Sequence, residues 1–143
     1  MSWRGYGSDR QRGQVGLLTM RVSVITTVKN EESSIARLLD SLLAQSRALD
    51  EVVLADGGST DRTREIARSY VGRGLPLRIV DAPGSNISQG RNAAIRDAVG
   101  DVVASVDAGV RLDPSWLAEL IAPWDGPVGE PPDVVSGFFQ VRW

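Results

Sequence analysis

Short β-branched runs alternate with amphipathic stretches through most of this sequence, and this alternation restricts the fold more than any other feature. Continuous apolar runs predict buried strands, and apolar residues three or four positions apart predict helices. The predicted strands cover residues 22–27, 52–54, 77–80 and 102–106. The predicted helices cover residues 35–43, 60–71, 88–99 and 114–121. Because strand–helix–strand units form right-handed crossovers, we expect an α/β domain with a mostly parallel sheet and helices on both faces, in three layers.

Polar residues set the expected boundaries of these elements. Asn30 or Ser33 is expected to cap the first helix, and Ser59 or Thr60 the second. After a loop rich in proline and glycine, residues 134–141 predict a last strand.

The first segment of the chain has a different composition from the rest. Residues 1–19 carry glycine, arginine and glutamine without a sustained period, which is typical of a flexible leader. The regular pattern begins immediately afterwards, so residues 20–143 are expected to form a single domain.

The absence of cysteine and histidine excludes several kinds of chemistry. The chain has no thiolate nucleophile, no Ser-His-Asp triad and no zinc ribbon, so acid–base and metal work falls to Asp and Glu. A formal net charge of −2 excludes the strongly basic footprint of a nonspecific nucleic-acid binder. No apolar run approaches about 18 residues, so we expect no membrane span. The predicted location is cytoplasmic, with peripheral attachment to the inner face of the membrane as a further option.

Polar residues also gather where the predicted strands end. Thr27 and Lys29 follow the first strand, Asp56 and Gly57 end the second, and Asp107 ends the fourth. Ligands of open parallel sheets bind at these carboxyl ends, and glycine-rich turns beside helix N-termini suit phosphate groups. The pattern therefore predicts a nucleotide or another phosphorylated ligand. The sequence lacks GxxxxGK[ST] and, after the first strand, GxGxxG, so neither a P-loop nor a dinucleotide site is expected.

Three ordered segments of the sequence read SVITTVKNEESSIARLLDSLLAQ, EVVLADGGSTDRTREIA and SNISQGRNAAIRDAVGDVVASVDAGVRLDPSWLAELI. Together they resemble family 2 glycosyltransferases, which have the Rossmann-like GT-A fold. The resemblance covers residues 21–140. It implies an enzyme that transfers a sugar from a nucleoside diphosphate sugar to a glycan or lipid-linked acceptor, with inversion. It also implies a nucleotide-sugar-binding half followed by an acceptor-binding half.

The resemblance assigns roles to residues at the predicted site. The Asp of the Asp-(Asp/Gly)-Gly-Ser turn binds the base in the family and matches Asp56. Asp107 matches the first acid of the Asp-X-Asp motif, which holds Mg²⁺ or Mn²⁺ against the diphosphate, so it is the implied metal ligand. The implied nucleotide-sugar-binding residues are Thr27, Lys29, Glu32, Asp56, Gly57, Arg91, Asn92 and Asp107.

Two departures from the family pattern limit these implications. The motif reads Asp107-Ala108-Gly109, so a cation would rest on one carboxylate with phosphates, waters or a distant acid such as Asp113. The family's catalytic base is a carboxylate of the acceptor half, for which this chain has no matching segment. We therefore expect an incomplete domain that supplies the donor-binding half. The alternative is a noncatalytic nucleotide-sugar-binding or assembly module. An unfinished sheet would also allow a homodimer.

Overall fold

The computed structural model describes residues 20–125 and 132–137. Four strands alternate with four helices in the order β1 (Val22–Val28), α1 (Ile35–Leu43), β2 (Glu51–Asp56), α2 (Thr63–Val71), β3 (Leu77–Asp81), α3 (Ile87–Asp97), β4 (Val102–Ser105) and α4 (Trp116–Asp125). The strands form one parallel sheet in the order β3-β2-β1-β4. β2 and β3 lie in succession on one side of β1, and the connection from β3 then returns across the sheet and places β4 on the other side of β1. The sheet therefore has a topological switch point between β1 and β4, where ligands of such sheets bind.

Both faces of the sheet are covered, which confirms the predicted layers. Val24 of β1 belongs to the larger apolar cluster, together with buried leucines of α1 and with Leu117 of α4. Ile25, the next residue of β1, belongs to a smaller cluster with Ala94 of α3. Because successive side chains of a strand point to opposite faces, α1, α2 and α4 cover one face and α3 covers the other.

The helix boundaries differ from the expected ones where cap residues have other partners. The residue before α1 is Ser34, and the residue before α2 is Arg62, neither with a side-chain cap. Asn30 accepts instead from the amide of Thr60, and the Ser59 hydroxyl donates to Asp56. The predicted caps were therefore wrong, because these side chains bond within and between the loops that follow β1 and β2 and do not accept from the first amides of a helix.

The third helix is close to its prediction and has a complete cap. Asn86 Oδ1 accepts from the Gln89 amide at 2.8 Å, and Gln89 Oε1 accepts from the Asn86 amide at 3.0 Å. This reciprocal pair is a capping box, which satisfies two amides that a helix N-terminus otherwise leaves unpaired. It fixes the start of α3 next to the carboxyl edge of the sheet.

A charged network stabilises the end of the sheet opposite its carboxyl edge, where the strands begin. Glu51, at the start of β2, is 8% exposed and accepts from Ser23 Oγ at 2.5 Å, from the Val99 amide at 3.0 Å and from Arg78 Nη2 at 2.9 Å. Arg78 also contacts the side chain of Asp97. Burial alone would raise the pKa of Glu51, but these hydrogen bonds outweigh it and hold the pKa below the usual range.

Two expectations for the chain ends fall largely outside the described residues. The predicted leader, residues 1–19, lies outside them. Of the predicted last strand, residues 134–137 are described and contain no strand, and the rest lies outside. Within the described part of the chain, every helix is too short or too polar to cross a membrane.

Candidate functional site at the carboxyl edge of the sheet

Asp56 ends β2 and is fully buried. Oδ1 accepts from the Ser59 amide at 2.9 Å and from Ser59 Oγ at 2.6 Å, while Oδ2 accepts from Arg64 Nη1 at 3.0 Å. Burial alone would raise the pKa of this carboxyl, but the hydrogen bonds from Ser59 and Arg64 outweigh burial and keep the pKa below its usual range. The edge of the sheet therefore holds a buried, ionised acceptor.

Arg64 was not among the residues expected at the site. It lies in the first turn of α2, and its Nη1 contacts both Asp56 and the exposed carboxylate of Asp81 at the end of β3. The sequence carries one signal for this contact, a basic residue one turn into the helix that follows the Asp56 strand. That signal is weak, because arginine is common on solvated helix faces.

The loop after β1 is tied to the loop after β2 by a set of cross-hydrogen bonds, which we call the loop latch. Its contacts include Asn30 N to Ser59 Oγ (3.0 Å), Thr60 N to Asn30 Oδ1 (2.8 Å), Glu31 N to Thr63 Oγ1 (2.8 Å), Glu32 N to Asp61 Oδ2 (3.2 Å) and Arg62 N to Glu32 Oε2 (3.0 Å). Asn30 has a φ of 54°, a left-handed conformation that asparagine adopts more readily than most residues. Glu32, an expected nucleotide contact, thus lies in the latch.

Helix α3 approaches β1 closely at Thr27. A Cβ on Gly90 would lie 3.1 Å from Thr27 Cγ2, so a larger residue here would require Thr27 to shift by a few tenths of an ångström. The half-buried Thr27 is therefore covered on one side by the turn that carries Arg91. The contact brings the end of β1 against the residue of α3 that precedes Arg91.

Gly57 joins three segments behind Asp56. Its amide donates to the Val28 carbonyl at 2.9 Å, and its carbonyl accepts from the Gly84 amide at 3.1 Å. A Cβ at this position would lie 3.3 Å from the Ser85 carbonyl oxygen, which is tighter than ordinary contact. The turn after β2 therefore packs against the chain that leads into α3.

Arg91, on α3, pairs with Asp107, which follows β4 on the other side of β1 from Asp56. Arg91 Nη2 lies 3.6 Å from Asp107 Oδ1, and both side chains reach solvent, with exposed fractions of 42% and 72%. Lys29, directly after β1, and Asn92, next to Arg91 on α3, are both exposed. The expected residues therefore fall into two groups, one around Asp56 on β2 and one around Arg91 and Asp107, with β1 between them.

The acids of this edge fit a divalent cation poorly. Among residues 20–125 and 132–137, no group of three or more acidic side chains is placed to hold a metal ion. Asp107 is the acid at the motif position, and a guanidinium already neighbours it. Gly109 replaces the second carboxylate of the motif, although a Cβ there would meet nothing within 4 Å. The fold leaves room for an acid that the sequence does not supply.

This fold and edge define a Rossmann-like α/β domain with its polar residues at the switch point. The sequence model of "Glycosyl transferase family 2" matches residues 23–141. Validoxylamine A glucosyltransferase from Streptomyces hygroscopicus subsp. jinggangensis is 35% identical over 120 residues, which are 81% of this chain and 28% of that protein. The chain belongs to glycosyl transferase family 2, as the sequence segments implied.

Solved structures of glycosyltransferases have the same fold. S. aureus TarS 1-349 in complex with UDP-GlcNAc superimposes with a TM-score of 0.68 at 32% identity, covering 74% of this chain and 31% of that one. The mannosyltransferase PcManGT from Pyrobaculum calidifontis, in complex with GDP-Man and Mn²⁺, gives a TM-score of 0.69 at 30% identity, covering 76% and 33%. The GT-A fold is therefore confirmed. The chain spans about a third of the length of these relatives.

Proposed function

We propose that this chain forms the donor-binding part of a glycosyltransferase that transfers a sugar from a nucleoside diphosphate sugar to an acceptor, with inversion. One observation carries the proposal: the carboxyl edge holds an ionised acceptor, Asp56, at the end of β2, and a cation, Arg91, paired with Asp107, which follows β4 on the other side of β1. An acceptor on one side suits a base, and a cation on the other suits phosphates. The complexes of TarS with UDP-GlcNAc and of PcManGT with GDP-Man give the proposal its substrate class.

In this proposal, Asp56 recognises the base. An ionised carboxylate only accepts hydrogen bonds, and three of its roughly four acceptor sites are taken by Ser59 and Arg64. The free site is on Oδ2 and would receive a ring N–H such as that of uracil, thymine or guanine. Because the side chain is fully covered, binding requires a shift of the partly exposed Arg64 guanidinium. Bases with a ring acceptor at that position, as in cytosine and adenine, would leave the buried carboxylate unpaired and bind more weakly.

Arg91 has the second role, at the diphosphate. Departure of a nucleoside diphosphate builds negative charge on the leaving phosphate, and a guanidinium stabilises that charge through paired N–H donors. Asn92, the next residue of α3, and Lys29, directly after β1, add donors at this edge. Thr27, beneath the turn of Arg91, contacts the nucleoside. A cation at Asp107 is not part of this scheme, because the guanidinium of Arg91, 3.6 Å from that carboxylate, already supplies positive charge there.

The remaining assignments extend the same proposal. Glu32 and Gly57 shape the base pocket through the loop latch and the turn after β2. The acceptor is a glycan or a lipid-linked group, and the carboxylate base belongs to the acceptor half. A cytoplasmic location and a homodimer are predictions from the sequence.

Nucleotide titration tests the proposal. We expect the chain to bind one of UDP, GDP and TDP in calorimetry, and to bind CDP and ADP more weakly. Asp56→Asn should lower the affinity about tenfold or more, because the amide presents a donor where a carboxylate accepted. Asp40→Asn on α1 makes the same chemical change away from this edge and should bind normally. Failure of all five nucleotides to bind, or an unchanged affinity in Asp56→Asn, would contradict the assigned role.

A further inference from the structure

The charge available at the diphosphate side of the site differs from the motif that the family resemblance implies. A motif with two acids brings negative charge that a divalent cation neutralises. Here the segment reads Asp107-Ala108-Gly109, and the described residues hold no cluster of acids suited to a metal ion. One exposed carboxylate is a weak site for a cation unless phosphates and waters provide nearly all other ligands.

The carboxylate also has a cation beside it. Arg91 Nη2 lies 3.6 Å from Asp107 Oδ1. A dication bound to Asp107 would share that carboxylate with a guanidinium, and two like charges about 4 Å apart repel. Binding of a metal would therefore require Arg91 to move away from the group that now attracts it.

The packing of α3 fixes the position of Arg91 in the fold. The capping box at Asn86 fixes where the helix begins. Gly90 allows the helix to pack closely on Thr27 of β1, since a Cβ at Gly90 would lie only 3.1 Å from Thr27 Cγ2. Arg91 follows directly in this turn. A guanidinium is permanently charged and matches phosphate with a planar set of donors.

The missing carboxylate is not a requirement of the backbone. A Cβ at Gly109 would meet no atom within 4 Å, and Gly109 is not among the residues with positive φ. An aspartate would therefore fit at this position. The sequence lacks the second acid at a place where the fold would accept it.

We propose that Arg91, rather than a divalent cation, supplies the positive charge for the donor's diphosphate in this chain. Asp107 holds the guanidinium at the edge until the phosphates take its place. The inference rests on the proposed function, since it needs a nucleoside diphosphate at this edge. It separates this chain from PcManGT, whose complex contains Mn²⁺.

The first test compares nucleotide binding with and without metal. The 143-residue chain is titrated with UDP and GDP by calorimetry, once in EDTA and once in Mn²⁺. We expect the dissociation constant of the preferred nucleotide to agree within about twofold between the two conditions, well below the tenfold change that marks a substantial new interaction. Binding that appears only with Mn²⁺, or strengthens tenfold or more, would overturn the inference and leave the donor site standing. No binding in either condition would remove the proposed function and the inference with it.

Asp107→Asn gives opposite results for the two sources of charge. If Arg91 supplies the charge, loss of its competing partner raises the affinity by up to about fivefold, the range for an exposed ion pair, in EDTA and in Mn²⁺ alike. If a metal supplies the charge, loss of its carboxylate lowers the affinity in Mn²⁺. Arg91→Gln should lower the affinity about tenfold or more in EDTA. Arg96→Gln, the matched change further along α3, should bind normally.

Gly109→Asp tests the missing acid directly. This variant restores a second carboxylate and should bind the nucleotide about tenfold more tightly in Mn²⁺ than in EDTA. If Gly109→Asp binds the nucleotide equally well in Mn²⁺ and in EDTA, this would contradict the view that the absent acid makes the native chain independent of metal. Thermal unfolding followed by circular dichroism verifies that each variant folds, which is expected because positions 107 and 109 are exposed.

Discussion

Arg64 Nη1 lies 3.0 Å from Oδ2 of Asp56 and fixes that buried carboxylate from the first turn of α2. The same nitrogen contacts Asp81, so one guanidinium joins the ends of β2 and β3. Asp56 remains ionised in the protein because it is paired in this way and hydrogen-bonded to Ser59. The candidate base-recognition residue thus depends on a helix that contributes none of the site residues expected from the sequence.

Arg64→Met should destabilise the domain. It removes a charged donor from a fully buried carboxylate, and we expect the free energy of unfolding at pH 7 to fall by about 2–3 kcal/mol. Denaturant unfolding followed by circular dichroism measures the change. Arg68→Met, on an exposed position of the same helix, should change the stability by no more than about 0.5 kcal/mol. Equal losses in the two variants would contradict the role given to Arg64.

The stability should also decrease in acid through Asp56. Its pKa is lowered in the folded protein, so its contribution is complete above the unfolded value of about 3.9 and is lost as the pH falls through the folded value. In Arg64→Met the folded pKa rises towards the unfolded one, and this part of the acid dependence shrinks. Unfolding curves between pH 2 and pH 7 measure it. A variant with the same acid dependence as the native chain would refute the coupling.

Glu51→Gln should destabilise the opposite edge of the sheet. Glu51 accepts from Ser23, Val99 and Arg78, and a glutamine would turn an amide donor towards one of these donors. We expect a loss of about 2 kcal/mol in the free energy of unfolding. Asp97→Asn, which alters the half-exposed partner of Arg78, should cost less than about 1 kcal/mol. Chemical unfolding of both variants gives the comparison, and a larger loss in Asp97→Asn would reverse the assignment.

Gly100→Ala and Gly72→Ala should have opposite effects. A Cβ on Gly100 would lie 2.6 Å from the Ser23 amide nitrogen, so the start of β4 must move away from β1 at a cost of about 1–3 kcal/mol. A Cβ on Gly72 would meet the Ser69 carbonyl at an ordinary 3.5 Å, with helical backbone angles. At Gly72, alanine should raise the free energy of unfolding by up to about 1 kcal/mol, because it reduces the conformational entropy of the unfolded chain. Melting temperatures that shift in the same direction would contradict the packing argument.

Asn30 variants separate the two contributions of the loop latch. Asn30→Gly keeps the left-handed backbone at φ 54° but loses the acceptor for the Thr60 amide, at a cost of about 1 kcal/mol. Asn30→Ala loses the acceptor and also strains the backbone, which adds about 1 kcal/mol or more. Denaturant unfolding should rank native, glycine and alanine forms in that order. An alanine form as stable as the glycine form would exclude backbone strain as a contribution.

Local signals in the sequence predicted the elements better than their contacts. Apolar spacing located all four strands and helices, because burial on one face of a helix or on a strand leaves a periodic trace. The caps of the first two helices were wrong, since Asn30 and Ser59 bond across loops that are about 30 residues apart in sequence. A cap motif is local, but its side chain bonds to the nearest suitable partner in space.

The sequence by itself determined the family, the parallel α/β order and the candidate residues at the strand ends, because these follow from periodicity and from ordered motifs. Only the tertiary structure decided which candidates meet. It buried Asp56 against Arg64 and paired Arg91, on the helix that connects β3 and β4, with Asp107 after β4. It also placed Glu32 in the loop latch. Those contacts depend on the distances between elements remote in the chain, and side-chain charge and hydrogen bonding act through such distances rather than through sequence order.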